Sequence, residues 1–194
     1  AMYNVVTIGA YGAGQLLVFN FDARTLTGFA FAAVVSSLAV IPVAMSEQAA
    51  TPQVENNTHI TMRELAKIVP TGAGTILLVG LAHGGMLGMA VIFATREGLS
   101  VGRVGILIAA INLGGMALTW PISSASDDID RRIIGLLSTL AVIVLGLVML
   151  TQTPSSWVTT ALLFAIGGFS FPLYAVGGAY TNDWVSQEQM GAAA

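Results

Sequence analysis

The sequence predicts an all-α membrane protein with six transmembrane helices, and three observations carry that reading. Apolar residues make up 55 % of the 194 and charged residues only 9 %, whereas soluble domains carry roughly 25 % charge. Such a chain cannot cover its own surface in water. The apolar residues also gather into six runs, most of them near the ~20 residues that a spanning helix needs. Finally, the runs lack the period-two alternation of a membrane barrel and exceed a barrel strand in length. Lipid admits only helices or closed barrels, because unpaired backbone groups find no water there.

The first run, Tyr3 to Phe19, is short for a span. The second, Leu26 to Met45, follows the turn Asn20-Phe21-Asp22-Ala23-Arg24. Val69 to Thr95 is the third, with Pro70 suited to a first helical turn, where its missing N–H costs nothing. The fourth runs from Val101 to Ser123, with Ser100 placed to cap it. Ile133 to Leu150 and Trp157 to Tyr180 are the fifth and sixth. No Lys, Arg, Asp or Glu interrupts them except Arg103, close to one end.

The connections are short except for residues 46–68, a polar linker that divides two helices from four. Within it Thr61 to Leu65 could begin an amphipathic helix on the membrane surface. The densest charge lies in Trp120 to Arg132, which holds Asp127, Asp128, Asp130, Arg131 and Arg132, and reads as a loop at a membrane face. Arg63, Lys67, Arg131 and Arg132 fall on one side of the membrane, and Arg24, Arg96 and Arg103 on the other. The small excess favours the first side as cytoplasmic. Ala1 opens inside an apolar run and the chain closes on Gly191-Ala192-Ala193-Ala194, so the sequence reads as a piece of a longer protein without a visible signal peptide.

Several function classes drop out. A net charge of −3 offers no basic face for nucleic acid. With no cysteine there is neither a disulfide framework nor a thiolate site. No phosphate loop, dinucleotide fingerprint or His-Glu-x-x-His metal motif occurs, so no metal, no cofactor and no enzymatic activity are expected.

Polar groups inside the runs are costly unless they meet a partner or a water-filled cavity. Tyr11 and Gln15 share a face of the first helix, His83 lies in the third, Asn112 in the fourth and Tyr174 in the sixth. Each is either an interhelical hydrogen bond or part of a shared polar cavity for a solute. His83 titrates nearest neutrality, and is either a neutral bonded histidine or a proton carrier. Gly80, Gly84 and Gly88, four apart, mark a surface for close helix approach, either static or sliding.

The stretch Ser123-Ser124-Ala125-Ser126-Asp127-Asp128-Ile129-Asp130-Arg131 resembles the loop pattern Gly-x-Leu-Ala-Asp-Arg/Lys-x-Gly-Arg of major facilitator superfamily transporters, in its weaker copy between the eighth and ninth helices. Asp127 matches the motif Asp and Arg131 the closing Arg, while Ser123, Asp128 and Asp130 depart from it. Glu97 to Gly105 and Phe169 to Tyr174 resemble the start of the eighth helix and the tenth helix of sugar or drug-efflux members. The resemblance implies part of a twelve-helix fold. Residues 1–45 would be the last two helices of the N-terminal half, residues 46–68 the cytoplasmic central linker, and residues 69–194 the first four helices of the C-terminal half.

It further implies a permease in the bacterial inner membrane, moving a small solute by alternating access, with residues 124–132 in the cytoplasm. Asp127 would meet the N-terminus of a further helix, and Arg131 would pair with Asp183 as a latch on that side. The implied partners are the lipid bilayer and a small solute, with proton coupling left open, no nucleic acid, and a monomeric full-length protein. The rival reading is a structural or assembly subunit without a solute pathway.

Overall fold

A computed structural model describes residues 2–16, 21, 25–45 and 67–184. The linker expected over residues 46–68 lies outside the described residues except for Lys67 and Ile68, as does most of the turn after the first helix. Among the described residues the chain is all-helical: α1 (Met2–Leu16), α2 (Thr27–Leu38), α3 (Ile41–Ala44), α4 (Pro70–Arg96), α5 (Val101–Asp128), α6 (Arg131–Met149) and α7 (Trp157–Asn182). Four of these, α4 to α7, are long and apolar enough to cross a membrane. At 1.5 Å per residue the 28 residues of α5 extend about 42 Å and the 19 of α6 about 28 Å, against a hydrocarbon core of about 30 Å.

The helix ends follow from local chemistry. Pro70 opens α4. The same helix closes on Gly98, whose φ of +71° suits a residue without a Cβ. The Leu99 N–H then donates back to the Ala94 carbonyl at 3.1 Å and the Gly98 N–H to Thr95 at 3.1 Å, while Leu99 packs against the cluster containing Ala94. This is the six-to-one C-terminal motif with its apolar seal. Ser100 caps α5 by accepting from the Arg103 N–H at 3.3 Å, as its position suggests. Asp130 caps α6 through the Arg132 N–H at 2.8 Å, and Ser156 caps α7 through the Val158 N–H at 3.1 Å.

Two sequence-based boundaries are corrected. The run Leu26 to Met45 is not one helix, since α2 stops at Leu38 and a separate turn, α3, follows. The sequence supplies the reason: a proline at 42 has no N–H to return to the Leu38 carbonyl. The fourth helix does not end at Ser123, and the stretch from Trp120 is not a loop. α5 continues through Pro121 to Asp128, where the Ile129 N–H still donates to the Ala125 carbonyl at 2.9 Å. Nothing from Ile122 to Asp128 opposes a helix once the single bond lost at Pro121 is conceded. The chain turns only at Ile129, which is extended at φ −116° and ψ 149°.

The packing centre is the α5–α7 pair, with α1 laid on α5 and both α4 and α6 on α7. Ile111 is fully buried there with Leu107, Leu163 and Ala94. The two helices touch backbone to backbone. A Cβ at Gly114 would collide with the Phe164 carbonyl, and one at Gly167 with the Ile111 carbonyl. Small residues thus permit close approach as expected in lipid, but not where the spacing suggested. A Cβ at Gly80, Gly84 or Gly88 would meet no neighbour within 4 Å among the described residues. The outer face of α6 carries exposed Leu137, Leu140, Val144 and Leu147, a surface that only lipid or further protein suits.

Candidate functional site

At the turn between α5 and α6 the charged residues gather with the end of α7. Asp127 and Asp128 occupy the last turn of α5, Arg131 and Arg132 the first turn of α6, and Asp183 the C-cap of α7. Each of these charges is unfavourable on its own helix, because carboxylates oppose the negative C-terminal end of the dipole and cations the positive N-terminal end. The arrangement is relieved across elements. Arg131 Nε stands 3.0 Å from Asp183 Oδ2, and its Nη2 3.5 Å from Asp127 Oδ1.

One guanidinium therefore joins the ends of three helices. Its side chain is 23 % exposed, whereas those of Asp127 and Asp183 are 70 % and 50 % exposed. Solvent screening holds each pair to about 1 kcal/mol or less.

Arg132 adds a second tie, one that the resemblance to the loop pattern did not imply. Its Nη2 donates to Tyr180 Oη at 3.0 Å, and its guanidinium lies 5.5 Å from the centre of the same ring. The signal was present: Tyr180 stands three residues before Asp183, on the same helical face. These groups border a cavity of about 580 Å³ lined by Ser126, Asp128, Asp130 and Tyr180 among others.

The polar residues proposed for a solute cavity do not converge on one space among the described residues. His83 is half-buried, stacked on Phe171 with ring centres 4.5 Å apart and planes 20° apart, and its Nε2 has no partner among the described residues. It opens on a cavity of about 610 Å³ between α4, α6 and α7, which also reaches Ser170, Thr139, Arg131 and Tyr180. Asn112 is buried, and its amide nitrogen donates to the Ile108 carbonyl at 2.9 Å, within its own helix. Gln15 lies on the α1–α5 seam, its carbonyl oxygen 3.3 Å from where a Cβ at Gly105 would stand. Tyr11 and Tyr174 are exposed, and Tyr174 lines neither cavity.

Comparison with known proteins bears on what this arrangement belongs to. Over 179 residues, 91 % of its length, the chain is 23 % identical to the uncharacterized MFS-type transporter YcaD of Escherichia fergusonii, covering 46 % of that protein. Over 192 residues, 98 % of its length, it is 23 % identical to the YcaD of Escherichia coli O17:K52:H18 and 22 % identical to that of Escherichia coli strain K12, covering 49 % of each. The chain is a homologue of major facilitator superfamily transporters. It spans about half the length of the curated relatives it matches. No family model matches it, and no solved structure matches it. With four helices apolar enough to span lipid, this facilitator homologue is an integral membrane protein.

Proposed function

We propose that the chain is the middle portion of a secondary transporter in a bacterial inner membrane, moving a small solute by alternating access. On this reading α1 and the α2–α3 segment complete the count of six spans. Residues 1–45 close the N-terminal half, residues 46–68 form the cytoplasmic linker, and residues 69–194 begin the C-terminal half. Repeats of this kind rock about a midplane site between the halves.

The observation that carries the reading is the bridge from Arg131 to both Asp127 and Asp183, one weak and solvent-reachable tie across three helix ends. A tie worth about 1 kcal/mol or less can bias two states without freezing either. We assign Asp127, Arg131 and Asp183 to a cytoplasmic latch that holds that side closed and parts as the protein opens inward. Tyr11, Gln15, His83, Asn112 and Tyr174 are the residues offered to the solute pathway, together with groups from the remainder of the protein.

The test is Asp183→Asn in the full-length transporter, with cysteine labelling on the cytoplasmic half as the readout. Labelling should rise about threefold to fivefold, the population shift that corresponds to losing about 0.6–1 kcal/mol. Unchanged labelling together with unchanged transport would remove the latch from the mechanism.

A further inference from the structure

We propose that the groove between α1, α5 and α7 binds an anionic phospholipid, with one acyl chain along the groove and the phosphate at Arg103. The groove measures about 430 Å³ and its walls are almost entirely carbon, from Leu16, Ile106, Leu113, Ala161 and Phe164. A polar solute would find few partners there. Its end is different. Trp157 and Thr160 close it, and Arg103 holds both, with its guanidinium 4.5 Å from the Trp157 ring centre and Nη2 2.8 Å from Thr160 Oγ1.

The remaining contacts of Arg103 are also made by Nη2, to the carbonyls of Ser155 at 3.2 Å and Ser156 at 2.7 Å. Its Nε is sealed from solvent without a partner, and it forms no ion pair among the described residues. The cation sits in the first turn of α5 and against the cap of α7, beside the positive ends of two helix dipoles. Nearby Arg96 and Glu97 offset each other in formal charge. The site therefore has positive charge and donors in excess, and at headgroup level the anion at hand is lipid phosphate. Trp157, 70 % exposed, is the residue type that settles at that level. The opposite end of the bundle has the reverse balance among the described residues, with Asp127, Asp128, Asp130 and Asp183 against Lys67, Arg131 and Arg132, and should not hold an anion.

Native mass spectrometry of the full chain in detergent, with phosphatidylglycerol or phosphatidylcholine added, tests this without reference to transport. Phosphatidylglycerol should be retained over phosphatidylcholine. Arg103→Gln should weaken that retention about tenfold, the loss expected for a charge-assisted contact, while R103K keeps most of it. Ala161→Phe, which fills an open groove rather than the core, should reduce retention of both lipids without lowering the melting temperature in detergent alone; this variant decides the matter if R103Q does not fold. R132Q, at the other end of the bundle, should leave the retention of both lipids unchanged. Equal retention of the two lipids by the wild type, full retention by R103Q or A161F, or an equal loss in R132Q would overturn the proposal.

Discussion

The α5–α7 contact gives the sharpest stability prediction. In Gly167→Ala the new Cβ would stand 2.9 Å from the Ile111 α-carbon and closer still to its carbonyl, where ordinary contact begins near 3.4 Å. The neighbouring atoms are backbone, so no rotamer can yield. The helices must move apart to make room, loosening the Leu107, Ile111 and Leu163 cluster beside the contact. Overpacking of this kind costs about 1–3 kcal/mol. The helix-propensity gain of Ala over Gly returns up to about 1 kcal/mol of that. Gly84→Ala is the matched control, since its Cβ meets nothing within 4 Å among the described residues and only the propensity gain remains. Equilibrium unfolding of the full chain in mixed micelles should therefore rank G84A at or above wild type and G167A below it. The two variants should differ by about 1–3 kcal/mol. Equal stability of the two would refute the backbone-to-backbone packing of α5 on α7.

Gly98→Ala should cost about 1 kcal/mol in the same measurement, because Gly98 holds a φ of +71° that an L side chain resists. Ser156→Ala removes the cap of α7 and should cost about 1 kcal/mol, whereas Ser156→Asp should retain the cap. His83→Phe keeps the stacking on Phe171 while deleting a sealed nitrogen without a partner, so stability should hold or rise by about 1 kcal/mol. A fall of more than about 2 kcal/mol would mean that this nitrogen is bonded in the working protein. Tyr180→Phe removes the hydroxyl that Arg132 reaches but keeps the ring, and should cost no more than about 1 kcal/mol.

The helical class and the position of the long apolar runs were legible because lipid leaves so little choice of backbone structure. Ser100 was legible as a cap, since a serine before an apolar run has one evident use. Boundaries were less so. Ile122 to Asp128 reads as a loop if charge marks chain reversal, yet charge ends a membrane span without ending a helix. Pro42 broke its helix and Pro121 and Pro172 did not. A sequence does not reveal whether packing on a neighbouring helix repays the lost bond.

Glycine spacing misled in the same way. Gly80, Gly84 and Gly88 form the clearer pattern but face no described neighbour, while Gly114 and Gly167 make the contact from a less regular setting. Of the charged groups, Arg131 could be matched to Asp183 by resemblance to a known loop pattern. The ties from Arg103 to the Ser155 and Ser156 carbonyls could not, because a bond to a carbonyl leaves no mark on the residue that supplies it.

The reversed charges at the helix ends have a consequence for how that face of the bundle comes apart. Asp127 and Asp128 weaken α5, Arg131 and Arg132 weaken α6, and Asp183 weakens α7, each taken singly; only as a group do they hold. Separating α7 from Arg131 thus leaves Asp183 uncompensated at the end of α7, while Arg131 still faces Asp127 between α5 and α6. On the proposed reading these contacts would serve the inward-opening side as an interlock, shared among three helix ends although no single member is strong.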